Sequence, residues 1–258
     1  MAPLKEIWKS IFAWKIWVSI GVEDVVGKYR RTVLGPVWIV LGQCAYIFGI
    51  FLIHRSLQGG DNNNYLTFLS ISLPLWSMIS GFINDGCNSF LRAKGYIESY
   101  PLPLPIYVIR TVVSNIVTFL HLLPIYIILA AVTHTPVGVD AVLALPGFCL
   151  SIIFGLGAGL GLASLTARFR DIGAGVSAIV LLMFVLSPVF WEPSAQQKAN
   201  LVVKLNPFYY LLEVIRDPLL GLHVAPEVWV TAVLISLFSL VGGTVVYSVM
   251  RPTVVYWL

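Results

Sequence analysis

Charge is scarce in this sequence. Only 11% of its 258 residues are charged and 58% are hydrophobic, with a mean hydropathy of +0.88. Soluble domains carry about 25% charged residues, so a water-soluble globule is excluded and the chain reads as an integral membrane protein. Cysteine is scarce too. Cys44, Cys87 and Cys149 fall in or near three different apolar runs with no Cys-x-x-Cys spacing, so they read as small buried apolar residues and no metal site is expected. The N-terminus has no short apolar core followed by a small-residue cleavage site, so no signal peptide is expected to be removed and the first span is expected to target the chain. No Gly-x-x-x-x-Gly-Lys-Ser/Thr phosphate loop is present. There is also no His-Glu-x-x-His motif, catalytic aspartate pair or serine elbow. No catalytic residue can be named, and an enzyme is not expected.

What the chain has instead is long apolar runs. A hydrocarbon core of about 30 Å needs roughly 20 helical residues per crossing, and six runs qualify: Val33 to Ile53, Tyr65 to Ile83, Ile106 to Val132, Ala141 to Ala167, Ile172 to Phe190 and Val228 to Met250. Strands of a membrane barrel would be about 10 residues long with alternating polarity. The expected fold is therefore all-α, with six transmembrane helices in one membrane domain over residues 32–258.

Residues 1–31 read as a cytoplasmic amphipathic helix. Leu4, Ile7, Trp8 and Ile11 share one face and Lys5, Lys9 and Lys15 lie opposite; Val18, Val22, Val25 and Tyr29 resume the spacing after a slip near Trp14. Such a helix suits the plane of the membrane interface, or the surface of a soluble partner. Most of the 16 lysines and arginines fall on the side that holds the N-terminus, which predicts cytoplasmic N- and C-termini. Lys28-Tyr29-Arg30-Arg31 then leads through Gly35-Pro36 into the first span, proline being favourable in a first helical turn. His54 and Arg55 are expected to be solvated in the loop that follows.

Asp85, in the polar run that ends the second span, suits either a water-filled path or a solvated helix end. Leu91 to Pro105 is the largest cytoplasmic connection, with about one or two helical turns followed by alternating prolines that hold the chain extended. It reads as a docking element or as a proline-rich connector. Arg110 lies one turn inside the third span, where it can snorkel to headgroups, and His121 reads as a hydrogen-bonded packing residue. Gly155, Gly157, Gly159 and Gly161 form two overlapping Gly-x-x-x-Gly pairs, a sign of close helix approach with no stated partner. The short Arg168-Phe169-Arg170-Asp171 turn predicts antiparallel neighbours.

Residues Trp191 to Pro226 contain two apolar pieces too short to cross a bilayer, Leu201 to Leu205 and Phe208 to Ile215. They predict short re-entrant helices between spans five and six, the second starting after Asn206-Pro207 and closing near Gly221. Phe190, Trp191, Phe208, Tyr209 and Tyr210 suit the apolar faces and hydroxyl edges of a sugar chain, or an aromatic belt at the membrane surface.

Four motifs together resemble the membrane subunit of ABC exporters that move lipid-linked polysaccharide of the O-antigen, capsule and teichoic acid kind. They are Lys28 to Trp38, Ala167-Arg168-Phe169-Arg170-Asp171-Ile172, Ser187-Pro188-Val189-Phe190, and Asn206-Pro207-Phe208-Tyr209-Tyr210-Leu211-Leu212-Glu213-Val214-Ile215-Arg216. They occur in the family's order across essentially the whole chain. The resemblance implies a permease in the bacterial inner membrane that forms a channel as a homodimer and couples to two separate ATPase subunits. ATP and Mg would be bound in those partners, this chain would hold no cofactor, and no nucleic acid is expected among its partners. Other branches with a similar fold export teichoic acid, drugs or smaller lipids, and an ion-coupled secondary transporter is the more distant alternative. The resemblance further implies a coupling helix at about residues 92–99, with Arg92, Lys94, Tyr96 and Glu98 seated in the ATPase, and a gate containing Phe190, Trp191, Phe208, Tyr209 and Tyr210. The substrate's phosphate is expected near Lys28, Arg30 and Arg31, because arginine binds phosphate oxygens bidentately; anchoring to anionic lipid is the other role open to these residues.

Overall fold

The computed structural model describes residues 3–30, 32–58, 63–193 and 200–258, with the side chains of Lys28, Tyr29, Gln58 and Asn63 outside the description. Among the described residues there is no strand, and the regular elements are helical. Five helices are long and apolar enough to cross a membrane: Val37–Leu57, Asn64–Cys87, Pro105–Val132, Val139–Arg168 and Pro226–Trp257. The expected fifth crossing forms a shorter helix, Asp171–Leu186, of 16 residues. At 1.5 Å per residue it reaches about 24 Å, less than a full hydrocarbon core, because Ser187-Pro188 takes the backbone out of the helix.

The single helix expected over residues 1–31 is two, α1 (Pro3–Phe12) and α2 (Trp14–Tyr29). The break at Ala13 accounts for the slip in apolar spacing. Ala13 N–H is shared between the Lys9 and Ser10 carbonyls, at 3.2 Å each, and the Trp17 indole takes the Ile11 carbonyl at 3.2 Å. Leu4, Trp8, Ile11 and Phe12 are exposed while Glu6 and Ser10 are buried. Helix α1 therefore meets the protein through Glu6, Ser10 and half-buried Ile7, with Lys5 and Lys9 exposed beside the outward apolar side chains.

The first span starts later than expected. Gly35 has φ +55, a left-handed conformation that favours glycine, and its N–H donates to Thr32 Oγ1 at 3.1 Å. That turn delays the helix to α3 (Val37–Gln58). Helix α3 consequently runs past His54, which is not solvated in a loop but stacks on Tyr65 at 3.7 Å between ring centroids.

Helix α4 (Asn63–Cys87) is the axis of the fold, with 78% of its apolar window buried against 11% for α3. Two short helices follow, α5 (Ser89–Arg92) and α6 (Lys94–Ser99), then α7 (Pro105–Val132). A 3-10 turn (Val139–Leu143) leads into α8 (Ala144–Arg168), followed by α9 (Asp171–Leu186), α10 (Leu201–Lys204), α11 (Pro207–Leu219) and α12 (Pro226–Trp257).

The glycine ladder of α8 divides between two partners. A Cβ at Gly157 would lie 2.3 Å from the Ser239 carbonyl carbon, and one at Gly161 would lie 3.1 Å from Gly243 Cα, both on α12. Gly155 and Gly159 instead face α4: an added Cβ at Gly155 would meet Phe82 at 2.6 Å, and one at Gly159 would lie 3.9 Å from Gly86 Cα and 2.6 Å from Val108 of α7. One pair thus fits the last span and the other the central span, the close approach from which small-residue motifs gain dispersion contact. Helix α9 lies against α8, as the short turn predicts, and also against α4, through Trp76–Phe184 at 5.6 Å and Ser177 to Asn84 at 3.1 Å.

Among the cysteines, Cys87 is buried and Cys44 half-buried, but Cys149 is exposed, contrary to expectation. All three are free thiols. His121 Nδ1 bonds the Val117 carbonyl at 2.7 Å, as a packing residue should.

Candidate functional site

The two predicted short helices are present, and the second is stitched into the body. Asn206 caps α11, its Oδ1 accepting from Phe208 N–H at 3.0 Å, with Pro207 in the first turn where a missing donor costs nothing. The same amide donates through Nδ2 to Ser187 Oγ at 2.8 Å. Farther along, Arg216 donates to the Pro188 carbonyl at 2.7 Å and to Asp217 Oδ1 at 2.9 Å, with its guanidinium 4.8 Å from the Phe68 ring centroid. Arg216 is 1% exposed. The Ser-Pro-Val-Phe and Asn-Pro-Phe-Tyr-Tyr motifs are therefore one hydrogen-bonded unit, which Tyr65 extends by donating to the Phe190 carbonyl. Gly221 closes it at φ +73, where a Cβ would lie 2.1 Å from the Pro136 carbonyl oxygen.

Between α3, α4 and α9 runs an open groove of about 360 Å³. Its lining is unusual for the surface of an apolar chain: Tyr46, Ser77, Ser80, Asn84 and Ser177 supply hydroxyl and amide groups. From Tyr65 to Cys87, the only exposed residue of α4 is Ser77, with Ser80 and Asn84 half-buried one and two turns on. A lipid-facing stripe has no reason to carry this polarity, whereas a wetted one does. The spacing of Ser77, Ser80 and Asn84 was readable in the second span, but which side of that helix stays open was not.

None of the predicted aromatics lines this groove, and two of them, Phe208 and Phe190, touch side chains that do. Trp76 and Phe184 line it; Trp76 contacts Phe208 at 5.3 Å and Phe184 contacts Phe190 at 5.4 Å between centroids. Phe208 and Tyr209 are buried in protein. Phe190, Trp191 and Tyr210 stay partly exposed, Trp191 donating to the Val185 carbonyl at 3.3 Å and Tyr210 to that of Lys204 at 2.8 Å.

The end of the bundle away from these aromatics gathers the connection between α4 and α7. The expected coupling helix begins at Lys94, after a bend at Ala93, so Arg92 belongs to α5. Arg92 turns back to Asp85 at 2.8 Å, and Asn115 donates to the other oxygen of that carboxylate at 3.3 Å. Asp85 is thus a network member beside α7. Helix α6 has no fully buried residue and only Ile97 half-buried against the apolar cluster at this end; Lys94 pairs with Glu98 at 3.8 Å and Tyr96 is exposed. Its base is fixed by Phe90, which packs on Tyr247, and by Leu104, both in a small apolar cluster at this end.

Two carboxylates that sequence reading missed tie α1 and α2 to this end. Asp24 takes a bidentate pair from Arg110, Nε and Nη2 each at 2.5 Å. Arg110 therefore pairs within the protein and does not snorkel, and its guanidinium lies 5.5 Å from the Tyr96 ring centroid. Glu6 accepts from Arg251 at 2.6 and 2.9 Å and from the Leu104 N–H at 3.2 Å. Burial pushes its carboxyl up, but the hydrogen bonds from Arg251 and Leu104 outweigh this and leave it below the ordinary carboxylate value. Of the expected phosphate-binding residues, Arg30 is exposed at the end of α2, while Arg31 and the Lys28 side chain lie outside the described residues.

The sequence profile of the ABC-2 type transporter matches residues 17–220, most of the chain. The chain belongs to the ABC-2 type transporter family. Its relatives include two proteins named O-antigen export system permease protein RfbA. The one from Klebsiella pneumoniae is 21% identical over 80% of each chain, and the one from Myxococcus xanthus is 22% identical over 76% of each. This ABC-2 chain is therefore a multi-pass membrane protein and a transport subunit, not an enzyme, and the ATPase activity of its transporter resides in a separate subunit.

Proposed function

We propose that this chain is the permease of an ATP-driven exporter that moves a lipid-linked polysaccharide across a bacterial inner membrane. The observation that carries the reading is the polar groove, in which the one exposed position between Tyr65 and Cys87 and its neighbours are serines and an asparagine inside an apolar bundle. Hydroxyl and amide groups flanked by Tyr46, Trp76 and Phe184 match the hydroxyl edges and apolar faces of a sugar chain. The names of the relatives support the same substrate class.

Two copies facing each other across this groove enclose the path. The exposed α6 docks the ATPase, and the α1 end faces the cytoplasm, where Lys9, Arg92, Lys94 and Arg251 agree with the positive-inside rule. Helix α9 completes the sixth crossing together with the chain after Ser187. The α11 unit, buried among α4, α8 and α12, closes the outer end as a re-entrant segment, with Phe190, Trp191 and Tyr210 positioned to face the path. Lys28, Arg30 and Arg31 receive the phosphate of the lipid carrier.

Replacing Ser80 and Ser177 together with leucine tests the path. Surface polysaccharide is expected to fall while insertion and ATPase co-purification persist; normal export would overturn the assignment. Replacing Lys28, Arg30 and Arg31 with glutamine is expected to leave the lipid-linked glycan on the cytoplasmic leaflet, and undiminished export would remove the phosphate role.

A further inference from the structure

We propose that Glu6 is a positioning residue that makes helix α1 move as one piece with the coupling arm. The inference rests on the ATP-coupled reading above. Helix α1 exposes Leu4, Trp8, Ile11 and Phe12, and Ile7 is its one half-buried aliphatic side chain, packed on the small apolar cluster that holds Phe90 and Leu104. Beside Ile7 the polar anchor is a carboxylate, itself 4% exposed. That carboxylate reaches two separate elements: Arg251 near the end of α12, and the backbone of Leu104.

The Leu104 contact has a mechanical consequence. Between Tyr100 and Ile106 the chain reads Pro101-Leu102-Pro103-Leu104-Pro105, so only Leu102 and Leu104 carry an N–H. Leu102 N–H bonds the Tyr100 carbonyl at 2.8 Å, and Leu104 N–H goes to Glu6. Three fixed φ angles make this strap stiff, and its last free donor is held by α1. The strap begins two residues after the last residue of α6, Ser99. A push on α6 therefore reaches Glu6 through a segment with little freedom to absorb it. A parallel link, Tyr96 over Arg110 and Arg110 to Asp24, joins α6 to α2. Driven from α6, the outward apolar face of α1 slides in the membrane surface and carries with it the chain that leads to Arg30.

The test uses the full chain with its ATPase in lipid nanodiscs, with Cys44, Cys87 and Cys149 replaced by serine and spin labels at Trp8→Cys and Tyr100→Cys. Both labelled positions are exposed. With Glu6 present, one narrow distance is expected, unchanged between nucleotide-free and vanadate-trapped states. Glu6→Gln is expected to broaden it and make it nucleotide-dependent, and Arg251→Gln should do the same by removing the partner. In cells, either variant should keep ATP hydrolysis but export about tenfold less glycan per ATP, a usual size for a coupling lost between two sites. The double variant should be no worse than either single one. An unchanged narrow distance in both single variants, or undiminished export per ATP, overturns the proposal. The distance measurement needs no transported substrate, so a wild-type chain that exports no glycan would sink the exporter reading and leave the Glu6 result to stand separately.

Discussion

At the α11 end, Arg216 is 1% exposed and every contact it makes lies inside the body, to Asp217, Pro188 and Phe68. At the α1 end, the side chain of Arg92 is 63% exposed, that of Arg251 is 30% exposed, and helix α6 has no fully buried residue. Both ends use arginine–carboxylate pairs. In the first, the pair lies among packed side chains and immobilises a helix that has to stay in place. In the second, the pairs join elements whose other faces are free, so they hold pieces together without fixing them to the core. The comparison separates charges buried within the packed core from charges that connect elements at an exposed end.

The contrast can be broken most severely at Arg216. Arg216→Gln removes the buried guanidinium that bonds Asp217 and the Pro188 carbonyl, which costs about 3–5 kcal/mol, and should appear as a large drop in thermal unfolding temperature in detergent. A variant melting like wild type would place Arg216 among the connecting charges. Next in size, Asn206→Ala removes both the α11 cap and the Ser187 bond. It should cost about 1–2 kcal/mol, with faster hydrogen exchange in α11 than in α12.

Glu6→Gln is expected to act locally, weakening charge-assisted hydrogen bonds by about 1–3 kcal/mol and raising hydrogen exchange in α1 with little change in the global melt. The pH dependence has a definite sign. The folded-state value of Glu6 is lowered, so its contribution is fully present above the unfolded value near 4.5 and is lost as pH falls through the folded value below it. The protection factor of α1, the exchange rate of the unstructured chain relative to its own at the same pH, should therefore be flat from neutral pH down to that range and fall beneath it. Glu6→Gln should show no such step, its Arg251 and Leu104 partners being unable to titrate there. Smallest of all, Lys94→Ala breaks an exposed i,i+4 pair worth about 0.3–0.5 kcal/mol and should leave the melt unchanged.

Much of the segment after Ser187 was legible in the sequence. Asn206-Pro207 announces a helix start and Gly221 its close, and both occur as read, the structure adding the Asn206 cap and the left-handed Gly221, because cap and turn chemistry is local. The spans were legible as runs, though the glycine at 35 and the Ser-Pro at 187–188 moved two boundaries. The glycine ladder declared close packing but not its partners, because one helix can turn two Gly-x-x-x-Gly pairs toward two different neighbours. Glu6 and Asp24 stayed hidden for a different reason. Each looks like an ordinary surface acid on an amphipathic helix, and only the distant Arg251 and Arg110 reveal which side of that helix meets the protein. The groove was hidden likewise, since Ser77, Ser80 and Asn84 share a face whose exposure depends on where α3 and α9 stand.

Export itself is tested most directly by deleting the gene for this chain and labelling diol-bearing glycan with mild periodate and a membrane-impermeant hydrazide, on intact and on permeabilised cells. The account predicts that without the chain the lipid-linked polysaccharide is labelled only after permeabilisation, and that the native chain restores surface labelling whereas the Ser80→Leu, Ser177→Leu chain does not. Intact cells that label equally with and without the chain would contradict it.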